Sequence, residues 1–446
     1  MHMTRFLAGA GLAFAVALPA TAALPIQKWQ QPSGAQVWLV ESPSLPIVDV
    51  QVDFDAGDRR DPADKAGLAQ ATADMLSKGV AARNGEPALD ENQLGEAWAD
   101  LGAGFGAGAG QDRMSFTLRS LTYPDLLDKA VALAARQLGE PSFPDDIWQR
   151  ERQRWQAGIR EANTRPATVA EREFGKAVFG THPYGYDVTE EGLTHISVQD
   201  MREVYRVVEP CRAKVSVVGA VSRAQADQIV TRLLARLPQG TCQALPSVPE
   251  VSPLTAASER MIPFASAQAH VLIGQPGYKR SDPDYFPLVV GNYILGGGGF
   301  VSRLTEEVRQ KRGLSYSVYS YFAPGMHAGA FTLGLQTKPE QAAQAVQVSR
   351  DVLRRFVAEG PTAAELKAAK DFLVGGFALR IDSNRKLLDN LANIAWYDLP
   401  LDYLDTWTKE VEKVTAADIK AAFARKLQPD RMVTVVVGGD VAANRQ

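Results

Sequence analysis

Arg309 and Tyr316 stand seven positions apart at the end of a glycine-rich stretch. It begins Gly296-Gly297-Gly298-Gly299-Phe300-Val301-Ser302-Arg303-Leu304 and continues through Glu306 to Tyr316. A fixed guanidinium and a phenolic hydroxyl are donors suited to a peptide carbonyl that acquires negative charge, above all where water is scarce. The pattern predicts a helix from Phe300 to near Gly313 and a strand from Leu314, so that both side chains meet at the junction. Two plainer readings stand beside this one. Arg309 could complement a helix C-terminus together with Lys311 and Arg312, and Tyr316 could alternate with Leu314 and Val318 on a buried strand face. The glycines lack the Gly-Lys-Ser/Thr ending of a phosphate loop and the Gly-x-Gly-x-x-Gly pattern after a strand, which excludes nucleotide binding as the first choice. Gly296, Gly297, Gly298 and Gly299 then form either a flexible turn or a segment where a substrate approaches the backbone.

A second candidate lies on a helix expected over Pro62 to Lys78, in the stretch Gly67-Leu68-Ala69-Gln70-Ala71-Thr72-Ala73-Asp74-Met75-Leu76. It resembles the inverted zinc box of the pitrilysin/insulinase metallopeptidase family, to which the mitochondrial processing peptidases belong. There a helix carries His-x-x-Glu-His within a similar Gly-Leu and Met-Leu frame. Position by position, the ligand histidines fall on Gln70 and Asp74 and the general-base glutamate on Ala73. Zinc peptidase chemistry needs two imidazoles one helical turn apart and a carboxylate to take a proton from metal-bound water. None of these is present. The family's third ligand is a downstream glutamate, and the alignment places it best at Gly158, with Glu151 and Glu161 close by. The five histidines, His2, His182, His195, His270 and His327, include no pair with ligand spacing on a helix. His182 reads as a turn residue in Thr181-His182-Pro183-Tyr184-Gly185.

The stretch from Gly296 to Tyr316 is similar to the same family's C-terminal half, in which an arginine and a tyrosine face the zinc, grip the substrate backbone and help stabilise the oxyanion. The resemblance implies that role for Arg309 and Tyr316. It also implies two similar α+β domains closing as a clam shell, and a strand around Leu101 to Gly110 at which an extended peptide pairs. Alternating Gly and Ala there would leave room for a peptide, although close packing would explain the glycines equally well. Bacterial members of the family can be built as pairs, one chain with the zinc box and the other with the arginine and tyrosine. The expectation is therefore a subunit that binds no metal and no cofactor of its own, with zinc in a homologous partner and peptides as substrates. The competing class is a non-enzymatic assembly or peptide-binding module, as in core subunits of respiratory complexes. A third possibility is another metal arrangement with Asp74 as a ligand.

The elements that would hold these residues form a repeat. Strands are expected at Gln36 to Glu41 and Ile47 to Ala56, and helices at Tyr123 to Leu138 and Asp145 to Ala162. A unit of capped helix, Pro-containing turn and strand, Ser197 to Val221, recurs about 219 residues later as Thr415 to Gly438, an offset that signals duplicated domains rather than a solenoid. Each copy mixes strands and helices as an α+β sandwich with helices against one sheet face. The expected layout is an N-terminal domain over 23–240, a Pro/Ser/Thr-rich linker over 241–263 and a C-terminal domain over 264–446.

With 446 residues and 46% apolar content the chain is long enough for two cores, and 48 basic against 51 acidic residues suggest no nucleic-acid face. Arg5, the apolar run Phe6 to Leu18 and Ala20-Thr21-Ala22 read as a signal peptide over 1–22, too short for a membrane span. The expectation is export, with the mature chain in the periplasm, and no stable membrane insertion. Cys211 and Cys242 are then either a disulfide or two separate thiols.

Overall fold

The computed structural model describes residues 25–439, so the expected signal peptide lies outside the described residues. In chain order the first half contributes strands β1 (Gln27–Gln30), β2 (Gln36–Glu41) and β3 (Ile47–Phe54), then a separate ribbon of β4 (Gly79–Val80) and β5 (Leu89–Asp90). It continues with β6 (Gly104–Ala109), β7 (Met114–Leu121) and β8 (Lys214–Gly219). The second half contributes β9 (Ser258–Ile262), β10 (Ala269–Pro276), β11 (Ser317–Phe322), β12 (Ala330–Thr337) and β13 (Val433–Val437). In space the large sheets run β1-β2-β8-β3-β7-β6 and β11-β12-β10-β13-β9. Each contains one parallel pair, β2 with β8 and β9 with β13, among antiparallel neighbours. Five strands therefore correspond one to one, and β6 and β11 are equivalent free edges. The molecule is a mixed α/β fold of two similar halves.

Alternation in β3 shows why these segments pair as they do. Val48, Val50, Val52 and Phe54 point into the core beneath the helices of their own half, where all are 0–1% exposed. Asp49, Gln51 and Asp53 point to the other face, which by its polarity should meet solvent, yet all three are buried. The helix Asn384–Trp396, from the second half, covers them. Its Leu387, Leu388, Leu391 and Ile394 pack on Trp38, Val40 and Val218 of the first sheet. In return the helix Pro166–Phe179 of the first half sets Ala170, Phe174 and Val178 on Leu272, Val433, Val435 and Val437 of the second sheet. Each sheet is thus covered on one face by its own helices and on the other by a helix from the opposite half. The sequence pattern had placed helices on one face only.

Three other local differences have physical causes. The helix expected over Pro62 to Lys78 is α-helical only at Leu68–Met75, because Gly67 adopts φ +94° and leaves 3-10 turns on either side. Ser258–Ile262, inside the stretch expected as linker, is edge strand β9; its side chains are mostly exposed, so no apolar alternation marked it. The expected helix from Phe300 is a 3-10 turn at Gly299–Val301 followed by a π-helical turn at Thr305–Gln310, and β11 begins at Ser317. The Thr337 and Ser315 hydroxyls donate to the carbonyls of Leu314 and Gln336, which fastens residues 314–315 beside β12 before regular pairing starts.

Candidate functional site: a degenerate zinc box and an arginine-tyrosine pair

The helix Leu68–Met75 is held at its start by Asp61, whose carboxylate accepts from the N–H groups of Gly67 and Ala69 at 2.9 and 3.0 Å. Gln70 and Asp74, one turn apart, face the same side and bond each other, the Gln70 amide donating to the carboxylate at 2.8 Å. The Gln70 carbonyl oxygen also accepts from Ala109 N–H of β6 at 3.3 Å. Ala73 is 2% exposed and offers only a methyl group. Burial pushes the Asp74 carboxyl above its usual range; Gln70 and Lys78 oppose the shift and the Glu151 charge adds to it.

That coupling corrects the placement of the third position. Glu151, on the helix Asp145–Ala162, is the carboxylate whose charge reaches Asp74, whereas a side chain at Gly158 would project into open space. The error came from choosing the register on sequence alone, since both residues lie on one helix and only packing decides which turn faces the box. Lys78 was missed altogether. Its ammonium lies 3.5 Å from Glu91 and 3.5 Å from Glu151, and Arg150 adds a second cation 2.8 Å from Glu151. Burial of Glu151 is outweighed by these cations, which hold its carboxyl below the usual range. Lys78 stands four residues after Asp74, a spacing that places both on one helical face and was available as a signal.

These residues do not fit zinc: they supply an amide, a methyl group and carboxylates engaged by protein cations, where two imidazoles and a free base are required. Among the described residues the one group of potential ligands that converges is Glu209, Cys211 and Cys242. Its two sulfurs are joined in a disulfide with Cα atoms 5.9 Å apart.

In the second half, Arg309 on the π-helical turn and Tyr316 just before β11 come together. The guanidinium carbon is 4.7 Å from the Tyr316 ring centroid and 4.7 Å from that of Phe300. Tyr316 is 77% exposed, while Leu314 and Val318 are buried at 3% and 5%, so Tyr316 does not share their face. Lys311 and Arg312 pair with Glu307, but among the described residues the Arg309 side chain makes no hydrogen bond or ion pair. Chain reversal is set by Gly313 at φ +63° and by Leu314 N–H donating to the Val308 carbonyl at 3.0 Å. Gln310 donates to the Phe300 carbonyl at 3.1 Å and ties the 3-10 turn to the same unit.

Of the four glycines, Gly296, Gly297 and Gly298 lie against Ser320, Asn292 and Tyr293, where a Cβ would come within 2.9 Å of another atom. Gly299 faces open space. The glycines of β6 differ: at Gly104 and Gly108 an added side chain would meet nothing within 4 Å. Packing therefore does not explain them, and no strand pairs with the outer edge of β6, whose Ala109 N–H alone meets Gln70. No hydrogen bond or ion pair joins the degenerate box to the Arg309–Tyr316 unit among the described residues.

Residues 36–192 match the family described as Insulinase (Peptidase family M16), and residues 195–373 match the Peptidase M16 inactive domain. A crystal structure of a peptidase M16 inactive domain from Pseudomonas fluorescens is 34% identical, with a TM-score of 0.87 over 94% of this chain and 99% of that one. The chain belongs to peptidase family M16. A curated relative from Helicobacter pylori, named non-peptidase homolog YmxG, is 28% identical over 370 residues, covering 76% of this chain and 83% of the relative. The crystal structure of a protease from the same organism has a TM-score of 0.83, covering 93% of this chain and 100% of that one, and at 19% identity its likeness concerns the fold alone. The degenerate box and these likenesses together describe an M16 member without a zinc peptidase site of its own. Among the described residues no helix is long and apolar enough to cross a membrane.

Proposed function

We propose that this M16 chain is the non-metal-binding subunit of a heteromeric zinc metallopeptidase, supplying peptide binding and an arginine-tyrosine clamp to a homologous partner that carries His-x-x-Glu-His. The observation that carries this reading is the unpaired Arg309 guanidinium resting against the exposed Tyr316 ring. Leaving a guanidinium without a carboxylate while two neighbouring cations are paired keeps its N–H groups for a ligand. An extended peptide would add to the free edge of β6, where main-chain hydrogen bonds give affinity and the small residues leave room for side chains. Gly299, at the open end of the glycine run, would let the same peptide pass near the clamp, with Gly296–Gly298 shaping the turn. Zinc, the attacking water and the general base belong to the partner in this scheme. Arg309 and Tyr316 would donate to the carbonyl oxygen as it gains charge.

The segment 1–22 and the disulfide fit a chain exported to an oxidising compartment, the periplasm in this proposal, with 23–240 and 264–446 as its two domains. Co-expression with an M16 chain bearing an intact zinc box tests the assignment. Co-purification with peptidase activity that neither chain has alone is expected, and failure to associate would overturn it. A non-enzymatic peptide-binding or assembly module is the second reading, favoured by the side-chain-poor edge of β6. It predicts peptide binding with no gain of turnover on mixing.

A further inference from the structure

The second half contains a pocket of about 280 Å³ whose lining includes two arginines, Arg280 and Arg380, and no carboxylate. Neither guanidinium forms an ion pair among the described residues, although nearby Lys279 pairs with Glu250 and Lys386 with Asp382. Both are set against aromatic faces. The Arg280 guanidinium carbon lies 3.7 Å from the Tyr285 centroid, and one of its nitrogens donates to the Tyr403 hydroxyl at 2.6 Å. That of Arg380 lies 5.1 Å from the Trp407 centroid. Ring faces hold the cations in place without using up most of their N–H donors. Asn393 adds a further donor, because its carbonyl oxygen is occupied by the Arg113 guanidinium at 3.0 Å and its amide N–H groups are left for the cavity.

A concave site with convergent donors, two positive charges and no negative one is complementary to an anion. The planar forks select an anion that accepts two parallel hydrogen bonds. The aromatic walls and small volume suit an apolar group of about one side chain attached to it. We propose that this pocket binds a carboxylate, held by Arg280 and Arg380, with its apolar tail against the tyrosine and tryptophan rings. Two sources share this chemistry: the C-terminal residue of a peptide and a free small carboxylic acid. The site is independent of the clamp, and neither Arg309 nor Tyr316 lines it.

Calorimetric titration of the intact chain tests it with three probes: benzoate, the tripeptide Ala-Ala-Phe as the free acid, and the same tripeptide as its C-terminal amide. At least one acid is expected to bind, with the amide at least about tenfold weaker than its acid. Binding of benzoate alone identifies a free acid as the source, and binding of the tripeptide acid alone identifies a peptide C-terminus. Arg380→Gln, at an exposed position that does not threaten folding, is expected to weaken the bound acid by about tenfold, and Arg280→Lys by a similar factor. The proposal is overturned if neither acid binds at about 10 mM, if the tripeptide acid binds and its amide binds as tightly, or if Arg380→Gln leaves the affinity of the bound acid unchanged.

Discussion

The guanidinium carbon of Arg309 lies 4.7 Å from the ring centroid of Tyr316, although the two residues belong to different local elements, a π-helical turn and the approach to β11. Contact with the ring orients the charge without neutralising it. In the assembled peptidase proposed above, Arg309→Ala should lower kcat/KM by about 10²-fold, and Tyr316→Phe by about tenfold, as expected for donors to a developing oxyanion. Co-purification and the partner's zinc content should not change. Steady-state kinetics on the reconstituted pair decide it, and unaltered turnover removes the clamp.

Restoring the zinc box should require removal of a charge as well as addition of ligands. Gln70→His, Ala73→Glu and Asp74→His together recreate the ligand types, but the Lys78 ammonium remains 3.5 Å from Glu151. Adding Lys78→Ala to that triple variant should tighten zinc binding by at least about tenfold, because a neighbouring cation repels the metal and engages its carboxylate ligand. Competition with a chromogenic chelator measures the difference. Equal affinity for the two variants would show that Lys78 does not guard the site.

Stability should respond to pH from two sides. Burial and the Asp58 charge raise Asp61 to about 7 from its ordinary 3.8, against the pull of backbone N–H groups at the start of the Leu68–Met75 helix. Its folded-state value is the higher one, so its contribution is complete below the ordinary value and is lost as pH climbs through about 7. Asp61→Asn should flatten the decline between about pH 4 and about pH 7.

On the acid side His182 contributes. It is buried, donates to the Pro249 carbonyl at 2.9 Å and accepts from Tyr184 N–H. Burial lowers its affinity for a proton, with the Pro249 contact opposing and the nearby His327 and Arg59 adding. The unfolded chain therefore takes up the proton more readily, and stability falls as pH drops below about 6.5. Thermal melts of His182→Gln against the parent should show that loss reduced.

The exchanged helices should couple the two halves energetically. Leu391 is fully buried beneath the first sheet although it belongs to the second half. Leu391→Ala should cost about 2–5 kcal/mol in urea denaturation, with the loss reported by probes in both halves. A loss confined to the second half would contradict this account.

Reduction of the disulfide offers a separate test. Cys211 and Cys242 are 31 positions apart, and opening a loop of that length should cost about 3–4 kcal/mol through the entropy of the unfolded chain. A lower denaturation midpoint in reductant, absent in the double Cys→Ser variant, is the expected result.

What the sequence determined by itself was whatever depends on near neighbours and on residue chemistry. Alternation wrote β3, capping residues wrote the helices beginning after Ser197 and Thr415, and the recurrence of one unit revealed the duplication. The loss of zinc chemistry was equally local, since Gln70, Ala73 and Asp74 cannot become ligands of the required type in any fold. Tertiary structure decided what depends on partners far along the chain. Asp49, Gln51 and Asp53 read as a solvent face until a helix more than 300 residues later covers them. Glu151 rather than Gly158 reaches Asp74 because packing selects which turn of their helix lies beside the box, and Lys78 gained its role from carboxylates on two other elements. Exposure of Tyr316 and the presence of Arg280 and Arg380 in one pocket likewise follow from how separate segments dock, because periodicity reports which face is apolar but not which distant segment will cover it.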